Sequence, residues 1–330
     1  MSLRPRVSVV IPAFQSETRI GRTLARLEQQ TFTDFEVVVV NDGSTDGTAR
    51  EIETAIANDA RIRVIEQSNH GLARARNRGV EESRGDMVAF LDDDDLWHPQ
   101  KLALQVARFD AGNGPAVVTC YSALVDIDGN LLGWRFGGRT EGNVYREMLE
   151  WDMVSGGSVA LVSRGAIESC GGFDETLSER EDWDLWIRIA RRHSFACVPR
   201  TLVGYTRRPA SMSRSYDGML ARGRRVLEKA RQADTSISEP DHRAYVAREM
   251  FGAACLCLVD SEHDRAWQYL TGALRNGPGM ILSRPRRWGV ITMLALASTL
   301  PRAVYRNGPL TAMSRVAFGF QPGKPFDSLT

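Results

Sequence analysis

MVAFLDDDD, residues 87–95, runs five apolar residues straight into four aspartates. An apolar run with no polar alternation marks a strand covered on both faces. The same form occurs twice upstream. Val7–Pro12 (VSVVIP) leads into Ala13-Phe14, and Phe35–Val40 (FEVVVV) leads into Asn41–Thr48 (NDGSTDGT). Helical spacing fills the intervals. Glu17–Gln30 places Ile20, Leu24 and Leu27 on one face, Asp46 precedes a helical stretch to Asn58, and Leu72–Glu82 and Pro99–Phe109 read as helices. Short strands are expected at Ile62–Ile65 and Ala116–Tyr121. Covered strands alternating with helices predict an α/β chain with a doubly wound, mostly parallel sheet. Ligands of such a sheet bind beyond the carboxyl ends of its strands. Phe14, the acidic turn 41–48 and Asp92–Asp95 therefore share one rim.

Packing does not account for four successive aspartates, whose mutual repulsion calls for a cation. Oxygen ligands at this density suit Mg²⁺ or Mn²⁺ held by one or two carboxylates plus substrate phosphates. A helix start before Pro99 explains one or two of the acids, not four. Asn41–Thr48 by itself is equally a turn with an N-cap at Asp46. At a strand end, Asp42 can accept the imide N–H of a uracil and Phe14 can stack on the base. His70–Asn77 (HGLARARN) opens the third helix, and its Arg74 and Arg76 can face a diphosphate.

VSVVIPAFQSE, VVVVNDGSTDGT, NHGLARARNRG, FLDDDDLW, GGFDE and EREDWDLWIRIA follow one another over about residues 5–215. In this order and spacing they resemble the inverting family 2 glycosyltransferases of the GT-A fold. The resemblance implies a nucleotide-diphospho-sugar donor, usually a UDP-sugar, whose site includes Pro12, Phe14, Asp42, Gly71, Arg74, Arg76, Asp92 and Asp93. It also implies a divalent cation on a D-x-D motif, here Asp92-Asp93-Asp94. Asp94 is expected on the metal and Asp92 nearest the ribose and sugar, also within reach of the metal. The fourth aspartate leaves Asp93 and Asp95 as alternatives. The family's catalytic base maps to Glu181-Asp182, with Asp182 preferred. Gly157, Trp183 and Trp186 are expected at the acceptor, the two tryptophans either walling a sugar ring or packing in the core. Where relatives carry a histidine after the last strand this chain has Arg208, so no histidine role transfers.

The expected domains are a catalytic one over 1–212, with a nucleotide-sugar half (about 1–120) and an acceptor half (about 121–212), and a helical region over 213–330. Charge divides along a similar line. Residues 1–200 carry net −8 and 201–330 net +9. From Arg265 to Phe326 there are nine cations and no acid, flanking the apolar run Trp288–Leu300. That run is too short to span a bilayer but suits a helix lying on an anionic membrane surface. Five cysteines without a CxxC pair predict no disulfide framework and a reducing compartment. The N-terminus does not read as a signal peptide. These features predict a cytoplasmic protein, peripheral on the inner face of the cell membrane, and with them the resemblance implies transfer of a hexose or N-acetylhexosamine to a glycan or lipid-linked acceptor. Few aromatics interleave the arginines, so nucleic acid is not an expected partner. Two alternatives are a sugar nucleotidylyltransferase, which would need a glycine-rich loop where Pro12-Ala13-Phe14 stands, and an inactive nucleotide-sugar-binding protein.

Overall fold

A computed structural model describes residues 4–111, 114–135, 140–206, 216–259 and 262–283. Arg207, Arg208 and the run Trp288–Leu300 lie outside the described residues. The elements in chain order are β1 (Val7–Ala13), α1 (Ile20–Glu28), β2 (Phe35–Asp42), α2 (Thr48–Asn58), β3 (Ile62–Gln67), α3 (Leu72–Glu82), β4 (Met87–Phe90), β5 (Leu96–Trp97), α4 (Lys101–Asp110), β6 (Val117–Val125), β7 (Leu131–Arg135), α5 (Tyr145–Glu150), β8 (Leu161–Ser163), α6 (Arg164–Ser169), α7 (Glu181–Ala190), β9 (Phe195–Thr206), α8 (Tyr216–Ala233), α9 (Glu239–Val259), α10 (His263–Asn276) and α11 (Pro278–Leu282).

The strands form one sheet in the order β3-β2-β1-β4-β8-β6-β9-β5, with β7 paired to β6. β3, β2, β1 and β4 are parallel, as are β6 and β9. β8 runs antiparallel between β4 and β6, and β5 is antiparallel to β9. The chain winds outward from β1 to β2 and β3, then returns to the other side of β1 as β4. This reversal opens the crevice where doubly wound sheets bind ligands. Val10 lies beside Phe90 in register, so the turns after β1 and β4 leave the sheet side by side. Every residue of β1 and β2 is buried, as their unbroken apolar runs required. α3 lies so close to β1 that a Cβ on Gly79 would come within 2.2 Å of Val10 Cγ1.

The structure modifies several expectations. α1 starts at Ile20 rather than Glu17, because Ser16 O first accepts the N–H groups of Arg19 and Ile20 in a turn. β5, β8 and α6 were not anticipated; two or three strand residues, or a helix of six, are too few to show a period. Two compact units emerge. One runs to Tyr145 and resumes from Asp152; the other holds Arg146–Trp151 and α8 to α11. Within the second, Asp217 of α8 accepts hydrogen bonds from Tyr269 Oη and Arg265 of α10. All five cysteines are free.

Lys101 is fully buried. Its ammonium donates to Gln105 Oε1 (2.7 Å) and lies 3.9 Å from the Trp97 ring centroid. Burial pushes its pKa down from 10.5 to about 8. The folded state therefore disfavours the charged form. That cost is complete well below pH 8 and disappears as the pH rises towards 10.5. Lys101→Met removes the titration. Between pH 6.5 and 10.5 the stability difference should move by about 3 kcal/mol in favour of the wild type. Urea melts of both proteins at the two pH values measure this, and an unchanged difference would contradict it.

Candidate active site

At the end of β1, Pro12 and Ala13 are buried while Phe14 is 47% exposed. Gln15 follows in the left-handed region (φ 49°). Its Oε1 accepts Thr45 N (2.9 Å) and Asp46 N (3.3 Å), and its own N–H donates to Ser44 Oγ (3.1 Å). Ser16 N donates to Thr48 Oγ1. The turn bearing Phe14 is thus stitched to the turn after β2. Asp42, at the end of β2, is buried. Its Oδ1 accepts His70 N (2.9 Å) and Gln67 Nε2 (2.7 Å), and its Oδ2 accepts Gly71 N (2.9 Å). Gly71 is left-handed (φ 89°), with open space where a Cβ would stand. A carboxylate has about four acceptor positions, so one remains for a ligand N–H.

The four aspartates separate by environment. Asp93 accepts from Ser16 Oγ and pairs with Arg19 at 2.8 Å. Asp95 is buried, with Oδ1 on Thr206 N (3.0 Å) and Oδ2 without a hydrogen-bond donor. Burial, followed by the charges of Asp94 and Asp92, raises its pKa well above the carboxylate range. Asp92 and Asp94 remain half-buried at the rim. Among the described residues no three His, Cys, Asp or Glu side chains form a ready metal cage. A cation held by one or two carboxylates plus a diphosphate does fit, since the half-buried carboxylates Asp92 and Asp94 stand in one loop at the rim.

Several predicted residues have other partners. Arg74 is half-buried and pairs with Glu81 (3.1 Å) and Glu175 (3.3 Å). Arg76 is 2% exposed and faces inward. Its NH1 donates to Glu181 Oε1 (2.6 Å) and its NH2 to Asp92 Oδ1 (2.7 Å). Glu181 is held in this pair, and burial pushes its pKa up to about 7 against the opposing charge of Arg76. Trp183 and Trp186 are fully buried and belong to the core rather than to an acceptor wall. Gly157 is buried in a short 3₁₀ turn, where a Cβ would approach Arg76 NH2 at 3.1 Å. It therefore makes room for the guanidinium rather than touching an acceptor. Asp182 is half-buried, with Oδ1 accepting Trp183 N (2.8 Å).

The sequence reading missed the Asp92–Arg76–Glu181 chain. A signal was present. Ala73, Arg76 and Val80 recur at i, i+3 and i+7, so Arg76 sits on the apolar stripe of α3. Also missed were Ser158, whose Oγ accepts Asp92 N (3.1 Å) and whose carbonyl accepts Trp97 Nε1 (3.0 Å), and Asn77. Asn77 takes Phe173 N on Oδ1 (2.8 Å) and gives Nδ2–H to Phe173 O (2.9 Å), clamping the GGFDE loop to α3.

With this geometry in place, the glycosyl transferase family 2 profile matches residues 8–171. The chain carries a family 2 glycosyltransferase domain. It is 32% identical over 205 residues to a chondroitin synthase of Escherichia coli, a match covering 61% of this chain and 29% of that protein. The chain spans about three-tenths of the length of such curated relatives. Among solved structures it is similar to residues 1–349 of S. aureus TarS in complex with UDP-GlcNAc, with TM-score 0.62 and 21% identity. That match covers 94% of this chain and 92% of that one. It is also similar to the mannosyltransferase PcManGT of Pyrobaculum calidifontis in complex with GDP-Man and Mn²⁺, with TM-score 0.58 and 20% identity, over 96% and 86% of the two chains. These neighbours share the GT-A fold of family 2. Among the described residues no helix is long and apolar enough to cross a membrane.

Proposed function

We propose that this family 2 domain transfers a hexose or N-acetylhexosamine from a UDP-sugar to a hydroxyl of a cell-surface glycan or lipid-linked acceptor, with inversion at the anomeric carbon. One observation carries the reading. An exposed ring, an acceptor carboxylate and two half-buried aspartates occupy the ends of β1, β2 and β4, and Asp92 is joined through Arg76 to the helix start that carries Asp182. The UDP-GlcNAc complex of one solved neighbour supports a UDP-sugar donor, and the GDP-Man complex of another supports a sugar nucleotide more broadly.

Phe14 stacks on the base and the remaining acceptor position of Asp42 takes its N–H. Asp182 Oδ2 takes the proton of the acceptor's hydroxyl while the hydroxyl oxygen attacks the anomeric carbon. The bond to the diphosphate breaks on the opposite face, which inverts the linkage. Asp94, with Asp92 beside it, would hold a Mg²⁺ or Mn²⁺, which would supply charge neutralisation for the departing diphosphate.

A panel of UDP- and GDP-sugars with Mn²⁺ tests the reading through nucleoside diphosphate release. Pyrophosphate release would indicate nucleotidylyl transfer instead, and binding without turnover an inactive sugar-nucleotide binder. Phe14→Ala should weaken UDP binding roughly 5–100-fold, the usual value of one base–aromatic stack. Calorimetric titration with UDP and Mn²⁺ checks this, and unchanged affinity would remove Phe14 from the site.

The nine cations between Arg265 and Phe326 support a cytoplasmic protein held peripherally on the anionic inner face of the cell membrane. The intact chain should sediment with anionic liposomes at low salt and be released at high salt. A chain truncated after residue 280 should stay in solution. Absence of both from the pellet would refute the association.

A further inference from the structure

We infer that Arg76 is a positioning residue that fixes the reach between Asp92 at the donor and the first turn of α7 that bears Asp182. The inference rests on the proposed transferase reading, since it assigns Asp92 and Asp182 to the two sides of one reaction.

Arg76 presents its guanidinium as a rigid fork, with one nitrogen on each of two carboxylates from distant parts of the chain. A lysine ammonium is a point donor and does not hold both at a fixed separation. The surroundings keep the fork in place. The Phe173 ring centroid lies 5.4 Å from the guanidinium carbon and packs edge-on against Phe90. Asn77, the next residue of α3, clamps the backbone of Phe173. Gly157 leaves only the space the guanidinium occupies.

A buried ion pair is weak evidence for stability, because apolar side chains of similar volume often replace one without loss. Its fixed geometry is what apolar replacement removes. Backbone strain adjoins the α7 end of this chain of contacts, at Arg180 immediately before Glu181. Among the described residues the non-glycine residues with positive φ are Gln15, Ser155 and Arg180. They stand in the turn after β1, in the turn leading to Ser158 and immediately before Glu181. Such conformations persist where surrounding contacts over-determine them.

Three variants test the inference: Glu181→Gln, Arg76→Lys, and the paired change Arg76→Met with Glu181→Leu. Each is assayed for melting temperature, for amide hydrogen exchange over 181–186, and for kcat and donor KM. Glu181→Gln and Arg76→Lys should fold, exchange faster at the start of α7, and lose roughly 10–100-fold in kcat, the scale of a misplacement near 1 Å. Donor KM should change less than about threefold in Glu181→Gln, because the donor side is untouched. The paired variant should recover the wild-type melting temperature but not kcat. Recovery of both would make the triad mere packing and overturn the inference. So would wild-type exchange and kcat in folded Arg76→Lys or Glu181→Gln, or failure of all three variants to fold. If the wild type transfers no sugar from any donor, the functional reading fails by itself, and hydrogen exchange alone decides whether Arg76 fixes α7.

Discussion

Asp94→Asn is expected to lower sugar transfer by roughly 10³-fold and to abolish the response to added Mg²⁺ or Mn²⁺. Asp93 is taken by Ser16 and Arg19, and Asp95 points inward to Thr206. Asp94 is a half-buried rim carboxylate two residues from Asp92, which pairs with Arg76. Asparagine preserves its size and hydrogen bonding but removes the charge that holds a hard cation. The diphosphate would then depart without compensation, and several kcal/mol of transition-state stabilisation would go with it. Measuring turnover against metal concentration in wild type and variant, with a chelator control, decides the matter. Near-normal activity that resists chelation would end the metal assignment.

Asp182→Asn should lose roughly 10²–10⁴-fold in transfer while donor binding persists, as expected when a general base is lost. Asp182 Oδ1 is engaged by Trp183 N, and an asparagine oxygen can keep that bond, so the helix start should survive. What disappears is the capacity to take a proton. Binding of UDP measured alongside transfer separates the two effects. An equal loss of both would show that Asp182 shapes the donor pocket instead. The stereochemistry of the product, read by NMR, is a second check, because a retained linkage is incompatible with attack from the face opposite the diphosphate.

The parallel half of the sheet was legible because β1, β2 and β4 are buried on both faces, and such strands read as unbroken apolar runs. The rim position of Phe14 and of the aspartates followed from that alone. The second half was less legible. β8 has three residues and β5 two, and they exist only through pairing with β4, β6 and β9. Charged residues were also hard to place from sequence. Arg74 and Arg76 look alike in sequence, yet Arg74 is half-buried and pairs at the surface, whereas Arg76 is buried and pairs with buried Glu181 and half-buried Asp92. Their helix phase distinguishes them, since only Arg76 shares a face with Ala73 and Val80. Trp183 and Trp186 were ambiguous for a related reason. The same phase that offers a wall to a sugar also fills a core.

β8 lies between β4 and β6, so a segment from late in the domain completes the strand that delivers the aspartates. Met87, Val88 and Ala89 find their partners on that side in Ser163, Val162 and Leu161. A cut near residue 120 would leave β4 with a bare edge. The segments before and after that point are therefore not exchangeable cassettes, and recombination between relatives there would yield unpaired strands. New acceptor preferences have to arise by rebuilding the connecting loops while the interleaved strands are inherited together.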